Sequence, residues 1–263
     1  VYIADNVHNG EKCAIKNINI DSGFDGQEQI SFLQESLILH KLNHPSIVKY
    51  DGINFKSLTS NNNLLQPTII TKYFSHGSLN DILNKENKSQ SAPNWTPTKK
   101  YINLLGISHA LRYLHQKGIL HLNLKPENIL FDSNYYPHVS DFGLSKCFSN
   151  IFTKSVKLTI EGQLNTPIYF PPEILRGEEN FDQSVDVYAY AMIAFEIVTG
   201  ERPFSELGQI SPTELSNKIT SGYRPNFPSS VTQRMQQLIS KCWSESRQER
   251  PTFDDIFNVR LIE

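Results

Sequence analysis

The alternation of apolar and polar residues predicts strands in the first part of the chain. The run EKCAIKNINI at 11–20 and the run TIITKYF at 68–74 are rich in β-branched or aromatic residues, which is typical of strands. The polar segment SNNN at 60–63 is turn material between strands. This part of the chain is therefore expected to contain a small sheet.

One helix is predicted within this strand-rich part, over residues 26–42. Asn43 and Pro45 follow it and are expected to end it. An amphipathic helix buries the face that carries its apolar residues. Here the apolar residues at near-helical spacing are Ile30, Leu33, Leu37 and Leu42.

From about residue 75 onward the pattern is mainly helical. In TPTKKYINLLGISHALRYLHQKG, Thr96 is placed to cap a helix, Pro97 occupies its first position and Gly118 ends it. The apolar residues Leu104, Leu111 and Leu114 share one face of this helix.

Four further stretches have helical patterns: 184–199, 212–220, 231–242 and 252–259. They are separated by turns that contain proline or glycine. We therefore predict an α+β fold in two parts. Residues 1–74 would form a small sheet with one helix, and residues 75–263 a larger, mainly helical part.

Composition and charge narrow the functional classes. A chain of 263 residues with 38% apolar content can bury a large core. The net charge of −2 gives no electrostatic basis for a nucleic-acid or anionic-membrane partner. The longest apolar run, VYAYAMIAFEIV at 187–198, is too short to span a bilayer and contains Glu196. It predicts a buried helix, and we expect no membrane-spanning segment.

The cysteines suggest a reducing environment. Cys13, Cys147 and Cys242 are far apart, odd in number and without C-x-x-C spacing. This pattern indicates neither a disulfide framework nor a zinc site. We therefore expect a cytoplasmic protein.

The candidate chemistry centres on HLNLKPENIL at 121–130. His121, Lys125 and Asn128 surround a short apolar turn, as in a loop that handles phosphate. Asn123 stands where such a loop would carry an acid. The sequence thus raises the question of whether the chain transfers phosphate or only binds it.

Three charged residues outside this loop complete the pattern. Lys16 ends the strand CAIK, Glu35 lies in the middle of the predicted helix, and DFG begins at Asp141. Each signal is weak alone, because a lysine in a strand and a glutamate in a helix are most often solvated. Their order and spacing make a chance combination improbable.

In these motifs the chain resembles the eukaryotic protein kinase family over nearly its whole length. The resemblance implies a two-lobed fold that binds ATP and Mg²⁺. It implies that Lys16 grips the α- and β-phosphates with Glu35 as its partner, and that Asn128 and Asp141 bind the metal. It places Asn123 and Lys125 in the catalytic loop.

The resemblance also implies residues around the adenine ring. Thr71 would be the gatekeeper, and the backbone from Lys72 to Phe74 would form hydrogen bonds with adenine. The residues on the two faces of the ring would be Val1, Ala14 and Leu130. From the sequence alone, a role in the general core is an equally good interpretation of these three.

Four further features match the family. PPE ends at Glu173, for which Arg250 in RQERPTF would be the buried partner, and Asp186 would brace the catalytic loop. The stacked residues that align the lobes of active kinases are matched by Leu39, Tyr50, His121 and Phe142.

The segments GYRPNFP and KCWSESRQERPTF are similar to the tyrosine-kinase-like and tyrosine kinase groups, whereas KPEN and NTPIYFPPE are similar to serine/threonine kinases. A tyrosine-kinase-like domain of serine/threonine type reconciles these segments.

The chain departs from the family in its catalytic loop. Where the family has H-R-D, this chain has His121, Leu122 and Asn123. An amide is not basic at neutral pH, so Asn123 cannot take the proton of the attacking hydroxyl. Leu122 removes the arginine that would bind a phosphorylated activation segment, in which the candidate sites are Ser149, Thr153, Ser155 and Thr159.

A further departure is at the start of the chain. The glycine-rich loop is missing before Val1, as is the first strand, and we expect the sequence to be truncated there. The hypothesis that fits best is a pseudokinase that binds ATP and acts as a signalling scaffold or allosteric module, with a protein substrate or a partner kinase. The alternative is a weakly active serine/threonine kinase. A small-molecule phosphotransferase is disfavoured by Lys125, by PPE and by the helix after Asp186.

Overall fold

The computed structural model describes residues 1–17, 26–54, 67–147, 167–178 and 182–259. The predicted turn at 60–63 lies outside these residues, as does the end of the predicted strand at 18–20. For residues 26–31 the description is confined to the backbone.

Four antiparallel strands form the sheet near the start of the chain. Their order is β1–β2–β4–β3, with β1 at Tyr2–Asp5, β2 at Lys12–Asn17, β3 at Tyr50–Asn54 and β4 at Thr68–Lys72. Ala14 of β2 pairs with Ile3 on one side and with Thr71 on the other. The sheet confirms the predicted strands, although β4 ends two residues before the predicted Phe74.

Helix α1 spans Gly26–Lys41, close to the predicted 26–42. Two of the apolar residues that indicated the helix are not buried, since Leu33 is 45% exposed and Leu37 is 58% exposed. The helix instead turns Glu35 inward, and Phe32 and Leu39 are buried three residues before and four residues after it. Residues at this spacing lie on the same face of a helix. The polar Glu35 thus shares the buried face, whereas two leucines face solvent.

Among the described residues after the sheet, helices are the main elements. The helices are α2 Leu79–Asn87, α3 Pro97–Gln116, α4 Pro172–Leu175, α5 Ser184–Thr199, α6 Pro212–Thr220, α7 Gln233–Cys242 and α8 Phe253–Asn258. Two short antiparallel pairs join β5 Ile119–Leu120 to β8 Lys146–Cys147 and β6 Ile129–Phe131 to β7 Pro137–Val139. These observations confirm the predicted α+β class. The division of the chain at residue 74 stays a prediction.

The long helix α3 follows the local signals in the sequence. The Thr96 hydroxyl accepts a hydrogen bond from the Lys99 amide at 3.2 Å, and Pro97 is the first helical residue. The predicted apolar face is completely buried, at Leu104, Leu111 and Leu114. Helix α3 ends just before β5, which leads into the loop HLNLKPEN.

Helix α5 is buried over nearly its whole length, as predicted from its apolar run. Its first turn carries the buried Asp186, and its last turns carry the buried Glu196. Neither α5 nor any other described helix combines the length and apolar character required to span a membrane.

Candidate functional site

An ion-pair cluster joins the sheet to the helical part of the molecule. Strand β2 positions Lys16, whose Nζ lies 2.9 Å from Oε1 and 3.1 Å from Oε2 of Glu35 on α1. The same Nζ lies 2.8 Å from Oδ1 of Asp141, which follows β7. The structure thus brings together three of the residues that the sequence selected.

Lys16 and Asp141 stabilise each other's charges in this cluster, whereas burial raises the pKa of Glu35. Burial alone would lower the pKa of Lys16, but the carboxylates of Asp141 and Glu35 outweigh it and raise that pKa. Burial would likewise raise the pKa of Asp141, but the Lys16 ammonium lowers it. Lys16 and Asp141 are therefore both ionised at neutral pH.

Phe142 connects this cluster to the loop at 121–128. Its ring is fully buried against the His121 ring, with centroids 5.1 Å apart, and Phe142 directly follows Asp141 in the chain. The two other residues of the predicted stack, Leu39 and Tyr50, pack in the same core. Tyr50 also shares a 3.1 Å hydrogen bond with Ser36 of α1.

His121 has a structural rather than a chemical role in this arrangement. Burial lowers the pKa of its imidazole, so the ring is neutral. Its Nε2 lies 3.0 Å from the Ser140 carbonyl, which can only accept a hydrogen bond, so Nε2 carries the proton. Its Nδ1 then accepts a hydrogen bond from the backbone amide of Asn123 at 3.3 Å.

Asp186 at the start of α5 braces the same loop. Its two carboxylate oxygens accept hydrogen bonds from the amides of His121 and Leu122, both at 2.9 Å. The φ of Leu122 is +60°, a backbone conformation that costs about 1–2 kcal/mol for a residue with a Cβ. The buried carboxylate holds this conformation, as predicted for Asp186.

Leu122 is buried in an apolar cluster, a feature that the sequence did not indicate. Its neighbours there are Leu120, Phe170, Ile174 and Val185. In place of a cation that could bind phosphate, this position provides apolar packing for the segment around α4. The candidate phosphorylation sites Ser149, Thr153, Ser155 and Thr159 lie outside the described residues.

Asn123 and Asn128 form a chain of hydrogen bonds to Asp141. Nδ2 of Asn123 donates to Oδ2 of Asp141 at 2.7 Å, and Nδ2 of Asn128 donates to the Asn123 carbonyl at 2.7 Å. A carboxylate and a carbonyl only accept hydrogen bonds, which fixes the orientation of both amides. Neither amide oxygen accepts a hydrogen bond from the described residues. Both residues are buried.

These oxygens fit a magnesium ion. Mg²⁺ prefers oxygen ligands, and it usually takes one or two carboxylates and completes its shell with water and phosphate. Asp141 supplies an ionised carboxylate and Asn128 an amide oxygen with no protein partner among the described residues. No group of three or more His, Cys, Asp or Glu side chains in the described part of the chain could hold a metal. Two protein oxygens suit a cation that completes its shell with water and phosphate.

Lys125 lies at the edge of this cluster. Its side chain is half-buried, and its charge contributes to the lowered pKa of Asp141. The catalytic role proposed for it from the sequence stays a prediction.

Of the residues predicted around adenine, Ala14 lies on β2, Thr71 and Lys72 on β4 and Leu130 on β6, whereas Val1 precedes β1 and Phe74 follows β4. The amide of Lys72 donates to the Lys49 carbonyl at 3.0 Å, whereas the amide of Phe74 donates no hydrogen bond to a described residue. Thr71, Ala14 and Leu130 are half-buried, and Val1 is 87% exposed. Phe74 itself is buried against His138, with ring centroids 4.4 Å apart. The adenine contacts stay a prediction.

Glu173 and Arg250 form the predicted buried ion pair. Nη1 and Nη2 of Arg250 lie 2.6 and 2.8 Å from the two carboxylate oxygens of Glu173. The side chain of Arg250 is 0% exposed and that of Glu173 is 5% exposed. The pair joins α4 to the segment before α8.

One further buried carboxyl group was missed by the sequence analysis. Glu196 accepts a hydrogen bond from the Tyr169 hydroxyl at 2.7 Å, and burial raises its pKa to about 8. The signal was present in the sequence, because Glu196 interrupts the longest apolar run. It was interpreted only as evidence against a membrane span.

Comparison with known proteins shows the family to which the chain belongs. The family model described as the protein kinase domain matches residues 1–262. The chain belongs to the protein kinase family. Kinase domains use ATP and Mg²⁺ and act on protein substrates.

Individual relatives cover nearly all of the kinase domain. A probable serine/threonine-protein kinase of Dictyostelium discoideum is 34% identical over 251 residues, which are 95% of this chain and 25% of that protein. Serine/threonine-protein kinase VIK of Arabidopsis thaliana is 33% identical over 94% of this chain and 53% of its own length. Human ephrin type-A receptor 5 is 31% identical over 94% of this chain and 22% of its own length. The chain spans between about a fifth and a half of these relatives.

Proposed function

We propose that this kinase domain binds ATP with Mg²⁺ but transfers phosphate poorly, and that it acts as a signalling scaffold or allosteric module on a partner kinase or other protein. The observation that carries the proposal is the state of Asn123. Its nitrogen is committed to Asp141, and its oxygen is the only atom left for a substrate hydroxyl. We also propose a cytoplasmic location, in keeping with the free cysteines Cys13, Cys147 and Cys242.

An amide oxygen can orient a hydroxyl but cannot remove its proton. Loss of a general base costs roughly 10²- to 10⁴-fold in rate, or about 2.7 to 5.5 kcal/mol in the barrier. Kinases typically turn over about 1 to 100 times per second. A domain with Asn123 in this position is therefore a slow enzyme at best.

The nucleotide-binding half of the proposal is supported by the assembled cluster. Lys16 is held by Glu35 and Asp141 at hydrogen-bond distance, so it is pre-positioned for an anionic ligand. Asp141 and Asn128 would hold Mg²⁺, which neutralises phosphate charge when bound. The backbone from Lys72 to Phe74 would form hydrogen bonds with adenine beside the gatekeeper Thr71. Val1, Ala14 and Leu130 would lie on the two faces of the ring.

The second candidate is a weakly active serine/threonine kinase. It is favoured by Lys125, which lies two residues after Asn123 and close enough to act electrostatically on Asp141. The tyrosine-kinase-like assignment belongs to both candidates. Among the relatives, VIK is named a serine/threonine-protein kinase and the Dictyostelium protein shkB is named a dual specificity protein kinase.

The test of nucleotide binding is the thermal stability of the full-length protein with ATP and Mg²⁺. A ligand that binds only the folded state stabilises it by mass action, by about 2.7 kcal/mol at a concentration of one hundred times Kd. The melting temperature should rise in the wild type and stay unchanged in Lys16→Met. Lys12→Met, which alters an exposed lysine of the same strand, should behave as the wild type. An unchanged melting temperature of the wild type at millimolar nucleotide would overturn the proposal.

A further inference from the structure

The charges around Asp141 balance without a metal ion. Lys16 and Lys125 provide two positive charges against the two carboxylates of Glu35 and Asp141. His121 is neutral because burial lowers its pKa. Within the described residues, these ionised groups carry no net charge.

Asn123 is the reason for this balance. Its Nδ2 lies 2.7 Å from Oδ2 of Asp141, and Lys16 lies 2.8 Å from Oδ1. Both oxygens of the carboxylate therefore have a hydrogen-bond donor in the protein itself. A carboxylate at position 123 would face Asp141 across the same distance, and two like charges so close disfavour each other strongly unless a cation lies between them.

This charge balance affects how strongly the site binds the phosphates of a nucleotide. Metal-free ATP is strongly anionic, and each added negative charge of the protein near its phosphates weakens binding unless Mg²⁺ neutralises it. At position 123 the protein presents an amide, which adds no negative charge. The main electrostatic reason for requiring the cation during binding is therefore reduced.

We propose that Asn123 lets this domain hold ATP without a divalent cation. The inference rests on the proposed nucleotide site and adds its metal dependence. Mg²⁺ can still bind at Asp141 and Asn128, but it is optional for affinity. The domain would thus be an ATP-binding module whose occupancy does not follow the Mg²⁺ concentration.

The test is the ATP affinity of the full-length protein by titration calorimetry, once with excess Mg²⁺ and once with EDTA. For the wild type, the two Kd values should agree within about tenfold. For Asn123→Asp, removal of Mg²⁺ should weaken binding by a further factor of roughly ten to a hundred, because a like charge now lies beside the phosphates.

Asn123→Ala is the matched control. It removes the same hydrogen bond to Asp141 but adds no charge, so its ratio of Kd values with and without Mg²⁺ should equal that of the wild type. Folding of each variant is checked by its melting temperature without nucleotide. A change in the ratio cannot come from a general loss of stability, which affects both buffers alike.

Each outcome decides the inference. A wild type that binds ATP with Mg²⁺ but not in EDTA overturns it and leaves the nucleotide site standing. A ratio in Asn123→Ala as large as in Asn123→Asp overturns the explanation by charge. Failure of the wild type to bind ATP in either buffer overturns both the inference and the proposed function.

Discussion

At the scale of single residues, Arg250 carries a buried positive charge. Its two terminal nitrogens meet Glu173, and its Nε donates to the Ser244 carbonyl at 2.9 Å. A charge in this position depends on its partner, because the protein around it cannot solvate it as water does.

Arg250→Ala is therefore expected to behave as a folding mutant. It leaves the Glu173 carboxylate stranded, at a cost of roughly 3–5 kcal/mol in the free energy of unfolding. Arg112→Ala is the control, because Arg112 pairs with the exposed Asp254 and such surface pairs contribute less than about 1 kcal/mol. The measurement is the urea midpoint. Equal midpoints for wild type and Arg250→Ala would show that the pair contributes nothing.

The sequence indicated most of these residues and some of their partners. The resemblance to the protein kinase family implied the pairing of Lys16 with Glu35 and of Glu173 with Arg250. It did not imply the bond from Asn123 to Asp141, because a substitution shows which group is lost and not what the new group contacts. An aspartate at position 123 is nearly isosteric with Asn123, but it is not an equivalent residue, since it would replace a donor to Asp141 with a like charge.

At the scale of elements, α5 shows that a buried helix can carry a titratable group. Burial raises the pKa of Glu196 to about 8, with the Tyr169 hydroxyl as its hydrogen-bond donor. The folded protein therefore holds a proton on this carboxyl where the unfolded chain does not. Stability from this group is fully present below the ordinary glutamate pKa and declines as the pH rises toward about 8.

Glu196→Gln should remove this pH dependence. The neutral amide can still accept the hydrogen bond from Tyr169, so at pH 8 the variant should be more stable than the wild type, by up to about 5 kcal/mol. At pH 5 the two should nearly agree. Glu201→Gln, an exposed position just after α5, is the control and should show no such change. Parallel pH profiles of the urea midpoints for wild type and Glu196→Gln would contradict the account.

The helices also show which features of an element the sequence determines. The ends of α3 were predicted from Thr96 and Pro97, because capping is a local interaction. The buried face of α1 was not, because the choice depends on what the helix packs against. Glu35 turns toward Lys16, and this tertiary contact leaves Leu33 and Leu37 exposed.

At the scale of the whole molecule, an ion pair connects the sheet to the helical part. Lys16 belongs to the sheet and Asp141 to the helical part, and their contact continues through Asn123 to the loop that Asp186 braces. The sequence predicted the α+β class because periodicity changes once along the chain. It could not show that the site is assembled without a ligand, because that depends on contacts between residues more than one hundred positions apart.

The most direct test of the account is phosphate transfer from ATP to a serine- and threonine-containing protein at saturating Mg²⁺. The wild type should be close to the background set by Asp141→Ala, which loses the metal ligand. Asn123→Asp, in which Mg²⁺ offsets the added charge, should be faster than the wild type by about 10²-fold or more. A wild type as active as Asn123→Asp, with activity lost in Asp141→Ala, would contradict the account and show that Asn123 suffices for catalysis.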